Sequence, residues 1–345
     1  MEKKNYIVSL LQKDKDITRL LFTTVIIFAV MVWLRPNLFL SVRSFTSMGY
    51  QLPELGLYSI AMMLVLLTGG IDLSIVGIGN LAGITAAFIM RAGFAQNLTG
   101  FSMAFNIILG VAAGLATGFA CGLINGFIVA KFSLPPMLVT MATYSIYTGA
   151  GVIITEGQAV SKVWPVIVYL GTNTFMYVPI PFWVLTIALI ITAIILNRTK
   201  YGFEIKMIGS NAIASYYTGM NNRMLLIKTY ILSGLMSAVC GLVILARTDA
   251  AKADYAFTYT LQAILCAILG ATSPTGGFAK VSCLALSLIS LQFLSSGFNM
   301  LRLGGYFREF TWGLLLLLVL SFNYIVEEMR RRKSIASVRQ SSVSE

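Results

Sequence analysis

The sequence predicts an all-α polytopic membrane protein with about ten transmembrane helices. Of its 345 residues, 57% are hydrophobic and only 11% are charged, whereas a soluble domain carries about 25% charged residues. The mean hydropathy is +0.83. The apolar runs approach the roughly 20 residues with which a helix crosses a bilayer, and they are far too long for barrel strands.

The spans can be placed in order along the chain. A basic cytoplasmic segment, 1–19, precedes the first span, 20–34, which we expect to stay uncleaved because no small-residue cleavage site follows it. The other candidate spans are 44–67, 74–90, 103–127, 136–154, 179–196, 227–246, 259–270, 281–297 and 310–326. The second and eighth include short or Gly/Pro-interrupted stretches, so we expect broken helices there. One transmembrane domain over 20–327 and a basic cytoplasmic tail over 328–345 complete the chain.

The distribution of positive charge predicts that both termini are cytoplasmic. With the N-terminus inside, 17 of the 25 Lys and Arg residues lie in inner segments and eight lie in outer segments. Cytoplasmic loops carry such an excess, and an even number of spans follows from it. We therefore interpret the net charge of +12 as a topology signal and as contact with anionic membrane lipid, not with nucleic acid.

Small residues within the spans are interpreted as packing positions. The fourth span carries a glycine every four residues: Gly110, Gly114, Gly118, Gly122 and Gly126. This spacing puts them on one helix face, where another backbone can approach closely. The same interpretation applies to the cysteines, which show no metal or redox spacing: Cys121, Cys240, Cys266 and Cys283.

The segment Thr68–Ser74 places two glycines and an acid between two apolar runs. A carboxylate at the centre of a membrane helix costs roughly 2.5–3.5 kcal/mol. Asp72 must therefore lie at a helix end, in a water-filled cavity or at a functional site. The predicted topology puts it at the cytoplasmic end of the second span, which favours a cap for the next helix over a substrate ligand.

The longest polar inner segment is 197–226, which has two interpretations. Asn211 is a candidate N-cap and Gly219 a candidate C-cap of a short helix rich in small residues and tyrosines. The segment is either a plain cytoplasmic loop or an interfacial helix that docks a partner. Exposed tyrosine and methionine favour docking, because these residues are enriched at interfaces.

Glu54 and Asn299 are the candidate residues of a solute pathway. Because Glu54 follows Pro53, a helix start is the favoured interpretation of the pair, and a pathway role is the alternative.

Several chemistries are missing from the sequence. It contains no histidine, no phosphate-binding loop, no serine-nucleophile elbow and no zinc motif. We therefore expect no catalytic residue, no metal site and no cofactor in this chain. An ion-coupled secondary transporter stays an alternative, although such proteins usually need an intramembrane acid relay. A membrane scaffold or receptor would show no solute flux.

Four motifs in order resemble the permease subunits of ribose/galactose-type ABC sugar importers, over about 44–327. The first is Thr68–Ser74, with Gly69, Gly70, Asp72 and Ser74. The others are 122–131 with Asn125, followed by Pro135–Thr140 and Tyr147–Gly149; Thr199–Gly202 with Gly209–Asn211 and Gly219; and Gly270–Ser273 with Gly276 and Gly277, followed by Ser296–Leu301.

The resemblance implies a ten-helix permease of a bacterial-type inner membrane, with a pseudo-twofold repeat between spans 2–5 and 7–10. Its partners would be a second permease copy or paralogue, an extracytoplasmic solute-binding protein, and ATP-binding subunits that carry ATP and Mg. The segment near 209–221 resembles the family's coupling helix, with Gly209, Asn211, Ala214, Tyr217 and Gly219 as its coupling residues. A monosaccharide is the implied solute, and a nucleoside is the alternative.

Overall fold

The computed structural model describes residues 15–341 and, of their side chains, those from 16 to 325 except Asn323. The helices are α1 (Lys15–Leu34), α2 (Pro36–Phe39), α3 (Val42–Leu66), α4 (Ile75–Ala95), α5 (Gly100–Phe132), α6 (Pro136–Thr155), α7 (Pro165–Thr172), α8 (Ile180–Arg198), α9 (Lys200–Ser210), α10 (Ala212–Tyr217), α11 (Asn222–Thr248), α12 (Tyr259–Leu269), α13 (Val281–Met300) and α14 (Gly305–Ser341). The strands are β1 (Val160–Ser161), β2 (Thr174–Phe175), β3 (Val178–Pro179) and β4 (Ala250–Ala251). Strand β1 pairs antiparallel with β4, and β2 pairs antiparallel with β3.

Within residues 15–341, eight helices are long and apolar enough to cross a membrane: α1, α4, α5, α6, α8, α11, α13 and α14. The prediction of a helical multi-pass membrane protein is confirmed. The eighth predicted span falls on α12, whose 11 residues reach only about 16 Å, half of a hydrocarbon core of about 30 Å. The count of ten crossing helices stays a prediction.

Helix α3 is continuous, so the break and the helix start expected near Pro53 are wrong. The helix begins at Val42, where the Ser41 hydroxyl accepts a hydrogen bond from the Ser44 backbone N–H at 3.2 Å. Pro53 lies inside it, and every residue from Pro53 to Leu66 is buried. Neighbouring helices supply the packing that offsets the lost backbone hydrogen bond, as membrane helices allow.

Prolines set the boundary between α5 and α6. Helix α5 ends at Phe132, and its C-cap, Ser133, adopts the left-handed conformation with φ +53°. Pro135 follows and disfavours further helix before it. Pro136 then occupies the first turn of α6, where its missing N–H leaves no hydrogen bond unmade.

The glycines of α5 pack the centre of the bundle. All five are buried. Gly110 and Gly114 lie against α4, whereas Gly118, Gly122 and Gly126 lie against α11. A Cβ on Gly126 would lie 2.8 Å from the Cα of Ile227, so only glycine fits this approach. The packing interpretation is confirmed, and the four cysteines are likewise buried and free of disulfides.

Three central helices connect the two ends of the bundle. We call them the α10 end, which holds residues 67–74, 200–221 and 270–280, and the strand end, which holds β1–β4. Helix α3 runs towards the α10 end, while α11 and α13 run away from it. At about 1.5 Å per residue, Gln51 lies about 22 Å along α3 from Leu66.

A Gly122→Ala variant tests the glycine packing. The added methyl would lie 3.0 Å from the Cα of Ile231, and overpacking of this kind costs about 1–3 kcal/mol. We expect a lower thermal unfolding midpoint in detergent. The matched control is Gly149→Ala on α6, where nothing lies within 4 Å of the new Cβ. An equal loss in both variants would contradict the packing role.

Candidate functional site

Asp72 is buried at the junction between α3 and α4. Its Oδ1 accepts hydrogen bonds from the Ser74 backbone N–H at 2.9 Å and from the Ser74 hydroxyl at 2.5 Å. Its Oδ2 accepts from the Ser233 hydroxyl of α11 at 3.2 Å. Ser74, not Asp72, occupies the N-cap position of α4. The carboxylate therefore holds the turn before the helix, close to the helix's positive end.

This carboxylate belongs to a buried polar network that joins four helices. Asn125 of α5 donates to the Ser74 hydroxyl at 2.7 Å. The Tyr147 hydroxyl of α6 donates to the Asn125 carbonyl oxygen at 2.9 Å. The structure thus brings together the predicted residues Asp72, Ser74 and Asn125. It adds Tyr147, which belongs to the motif Tyr147–Gly149, and Ser233, which no sequence pattern indicated.

The start of α6 fastens the same turn from the other side. Pro135 occupies the N-cap position of α6. One turn later, the Thr140 hydroxyl accepts the Leu73 backbone N–H at 3.1 Å and lies 3.1 Å from the Ile71 carbonyl oxygen. A Cβ on Gly70 would lie 3.2 Å from the Pro136 side chain.

Three backbone segments meet in what we call the glycine junction: Leu67–Gly70, Gly209 and Thr275–Gly277. The Gly277 N–H donates to the Leu67 carbonyl at 2.9 Å. A Cβ on Gly276 would lie 2.8 Å from both the Gly209 carbonyl oxygen and the Gly69 nitrogen. A Cβ on Gly209 would overlap the Leu67 carbonyl oxygen and the Gly277 nitrogen. The end of α9 is therefore in direct contact with the Leu67–Gly70 and Thr275–Gly277 segments, each of which contains the sequence Thr-Gly-Gly.

Helix α10 begins at the predicted N-cap, Asn211, whereas its C-cap is Thr218 and the predicted Gly219 is the residue directly after it. The Asn211 side chain accepts hydrogen bonds from the backbone N–H groups of Ile213 at 3.0 Å and Ala214 at 2.9 Å. Gly219 adopts φ +80° and donates to the Tyr216 carbonyl at 3.0 Å. The Met220 N–H completes a Schellman motif by donating to Ser215 at 3.4 Å. The prediction of a short capped helix is confirmed.

The outer face of α10 is apolar and exposed. Ile213 is 71% exposed, Tyr216 70% and Tyr217 83%, and Ala214 is also exposed. On the opposite face, the buried Ser215 hydroxyl donates to the Asn222 side chain at 2.8 Å. A helix held on one side that presents two tyrosines on the other has the composition of a docking surface.

Helix α9 is tied to α11 beside this surface. The hydroxyls of Tyr201 and Thr229 are hydrogen-bonded at 2.8 Å. Burial raises the pKa of Tyr201 to about 12, and the bond to Thr229 partly opposes that shift. The phenol therefore stays neutral near pH 7, and α9 and α11 remain joined there.

At the strand end, Glu54 is buried within an ion-pair network. Its carboxylate pairs with Arg247 at the end of α11. Tyr259 donates to the second carboxylate oxygen at 3.2 Å, and Arg247 also donates to the Tyr255 hydroxyl at 2.9 Å. Burial, and next the nearby Glu54 carboxylate, raise the pKa of Tyr255. The Tyr255 phenol therefore keeps its proton near pH 7.

A cavity of about 250 Å³ lies over this network. Its polar lining includes Gln51, Tyr255, Tyr259, Gln262, Asn299, Arg308 and Glu309. Of the two candidate pathway residues, Asn299 lines the cavity and Glu54 lies behind Tyr259. Arg247 was expected to be an ordinary outer-segment cation. The one available signal was that a buried membrane acid needs a cationic partner.

The predicted site residues therefore fall at separate places. The glycine junction and the Asp72 network lie beside one another at the α10 end, next to the capped helix, whereas Glu54 and Asn299 lie at the strand end. A helical membrane protein with a polar cavity at one end and an anchored, exposed helix at the other has the architecture of a solute permease.

Comparison with known sequences agrees. The chain belongs to the family described as "Branched-chain amino acid transport system / permease component", which matches residues 45–335. It is 30% identical over 296 residues to the L-arabinose transport system permease protein AraH of Escherichia coli (strain K12), covering 86% of this chain and 87% of that one. No solved structure matches the chain.

Other relatives are named for sugars too. The ribose import permease protein RbsC of Bacillus subtilis (strain 168) is 29% identical over 86% of this chain and 88% of its own. The galactofuranose transporter permease protein YtfT of Escherichia coli (strain K12) is 30% identical over 70% of this chain and 68% of its own. The chain is a multi-pass inner-membrane permease that resembles sugar importer components.

An Asp72→Ala variant tests the polar network. Removing the carboxylate leaves the buried Ser74 and Ser233 hydroxyls without their acceptor, which costs about 1–3 kcal/mol per unsatisfied group. We expect a clearly lower unfolding midpoint in detergent. The control is Asp254→Ala, an exposed acid paired with Lys252, where we expect a change below about 1 kcal/mol. Equal stability of the two variants would contradict a structural role for Asp72.

Proposed function

We propose that this chain is the permease subunit of an ATP-driven importer and forms the translocation pathway for a monosaccharide or a similar small polar solute. The observation that carries the proposal is the exposed, doubly capped helix α10, anchored beside the glycine junction. Family membership and the sugar-named relatives support it. The chain itself would hydrolyse no ATP. Separate subunits would bind the ATP and the Mg.

The ATP-binding subunits would dock on α10 from the cytoplasm, with both termini on that side. Helix α9 follows α8, and Gly209 in its last turn contacts both the Leu67–Gly70 and the Thr275–Gly277 segments. A shift of α9 and α10 would therefore displace the backbone at the end of α3 and before α13. ATP drives the cycle only if the partner binds one permease state more tightly than the other.

The solute would enter at the strand end from an extracytoplasmic solute-binding protein. A second copy or a paralogue of this chain would complete the pathway, and each chain would carry ten spans with the pseudo-twofold repeat. Amide, hydroxyl and aromatic groups line the cavity. They suit a hydroxylated solute better than the branched apolar side chain in the family's description. Binding there would be weak, because a tight site slows release.

A double variant, Tyr216→Ala with Tyr217→Ala, tests the docking surface. Buried tyrosines at interfaces often contribute about 2 kcal/mol or more, so we expect ATP-dependent uptake of a radiolabelled pentose to fall at least about tenfold. Both side chains are exposed, so membrane insertion and thermal stability should not change. Deleting 211–219 should abolish uptake.

The control is Tyr177→Ala at the strand end, where the side chain is 98% exposed. Uptake by this variant should match the unmodified chain. Normal uptake after the 211–219 deletion would rule out the coupling role of α10. Uptake that an ionophore abolishes and that persists after ATP depletion would instead identify an ion-coupled transporter.

A further inference from the structure

Two further cavities lie near the one over Glu54 at the strand end. Their volumes are about 530 and 400 Å³. Gln51 contributes to all three linings, and we call the three cavities together the strand-end vestibule. Its uncharged polar groups include the hydroxyl of Ser47 and the amides of Gln51 and Asn299.

The charges around the vestibule are mostly positive. Four arginines line it: Arg43, Arg247, Arg302 and Arg308. Glu54 neutralises Arg247. The other three have no ion-pair partner among the described residues, and Glu309 is the one carboxylate in the lining. The vestibule therefore carries two positive charges in excess.

The ordinary explanations of positive charge do not fit this position. Half of the eight Lys and Arg residues expected in outer segments line these three cavities. The positive-inside bias favours few cations on that side. Cations that contact lipid phosphate need to face the membrane, whereas these face a cavity.

Arg308 has an unsatisfied donor. One of its terminal nitrogens donates to the Asn299 carbonyl oxygen at 2.7 Å. Its Nε is buried and has no hydrogen-bond partner among residues 16–325. A buried donor without an acceptor is destabilising, and a guanidinium is the group that best binds a carboxylate or a phosphate through two parallel hydrogen bonds.

We propose that the solute carries an anionic group, a carboxylate or a phosphate, beside its hydroxyls, so that a sugar acid or a sugar phosphate fits better than a neutral sugar. Arg43, Arg302 and Arg308 hold the anion. The amides of Gln51 and Asn299 bind hydroxyls. This inference rests on the proposed function only for the statement that the bound solute is transported.

The surroundings of Tyr255 add a donor. Its hydroxyl oxygen accepts from Arg247, and its own proton is therefore available to an oxygen in the cavity that it lines. A hydroxylated anion would thus meet guanidinium, amide and phenol donors within the strand-end vestibule. An acidic surface of a docking protein would reach the exposed Arg43 and Arg302, whereas Arg308 is only partly exposed and lies in the wall of the 250 Å³ cavity, so we favour a small solute.

Ligand-observed saturation-transfer NMR on the full chain tests this, because it detects weak binding. The chain is placed in phosphatidylcholine nanodiscs, and the probes are D-galactose, D-galacturonate and D-galactose 6-phosphate. One charge contact at about 4 Å in water corresponds to about fivefold in affinity. We expect at least one anionic probe to bind about fivefold more tightly than galactose, and added salt to weaken it. The two anionic probes distinguish carboxylate from phosphate.

Variants assign the effect to the vestibule. Arg302→Gln and Arg308→Gln should each weaken binding of the anionic probe several-fold and so bring its affinity towards that of galactose. The matched control is Arg91→Gln. Arg91 is exposed, lies near the C-terminal end of α4, and lines none of the three cavities. It should leave the preference intact.

Four results would overturn the inference. They are equal affinity for neutral and anionic probes, no binding of any probe, an equal loss of the anion preference in Arg91→Gln, and anion binding seen only in a phosphate-free detergent. The last would identify lipid phosphate as the occupant. Variants that weaken association with the solute-binding protein but keep the preference would indicate protein docking instead. The assay contains no ATP-binding subunit, so its failure is distinguishable from failure of ATP-dependent uptake.

Discussion

Close contact between backbones at glycine is the constraint on which this bundle depends. Lipid tails are as apolar as leucine, so helices in a membrane gain little from hydrophobic burial and associate through tight packing. The α5 glycines let α4 and α11 approach, and the glycine junction brings Gly69, Gly209 and Gly276 together. Such contacts leave no side chain to absorb a displacement. A movement of α9 must therefore move the turns that it touches.

The second constraint is that polar groups inside the bundle must find partners within the protein. Asp72 and Glu54 satisfy it in different ways. Asp72 accepts from the neutral hydroxyls of Ser74 and Ser233, far from the vestibule, in an arrangement that suits a fixed turn. Glu54 pairs with Arg247 directly behind a polar cavity. In the sequence, both residues are isolated acids among apolar runs, so the sequence alone does not distinguish these two roles.

Local patterns were predictable because their causes are local. Asn211 and Gly219 bound α10 as expected, since caps depend on neighbours within one turn. The role of Glu54 was not predictable: its partner Arg247 lies 193 residues away. The helix through Pro53 was missed for the same reason, because the packing around α3 comes from helices distant in sequence. Only the folded bundle shows which predicted site residues meet.

The Glu54–Arg247 ion pair joins α3 and α11, two helices that run between the ends of the molecule. Glu54 lies on α3, which continues to the glycine junction at Leu67. Arg247 lies in the last turn of α11, which begins at Asn222 beside α10. A displacement at α10 can reach one partner through α3 and the other through α11. Because this pair is hydrogen-bonded to Tyr255 and Tyr259, which line the cavity, a relative shift of these two helices would change the polar groups offered to a solute. Under the proposed function, coupling of the two ends would therefore need no flexible element between them, only two stiff helices with different attachments at the α10 end.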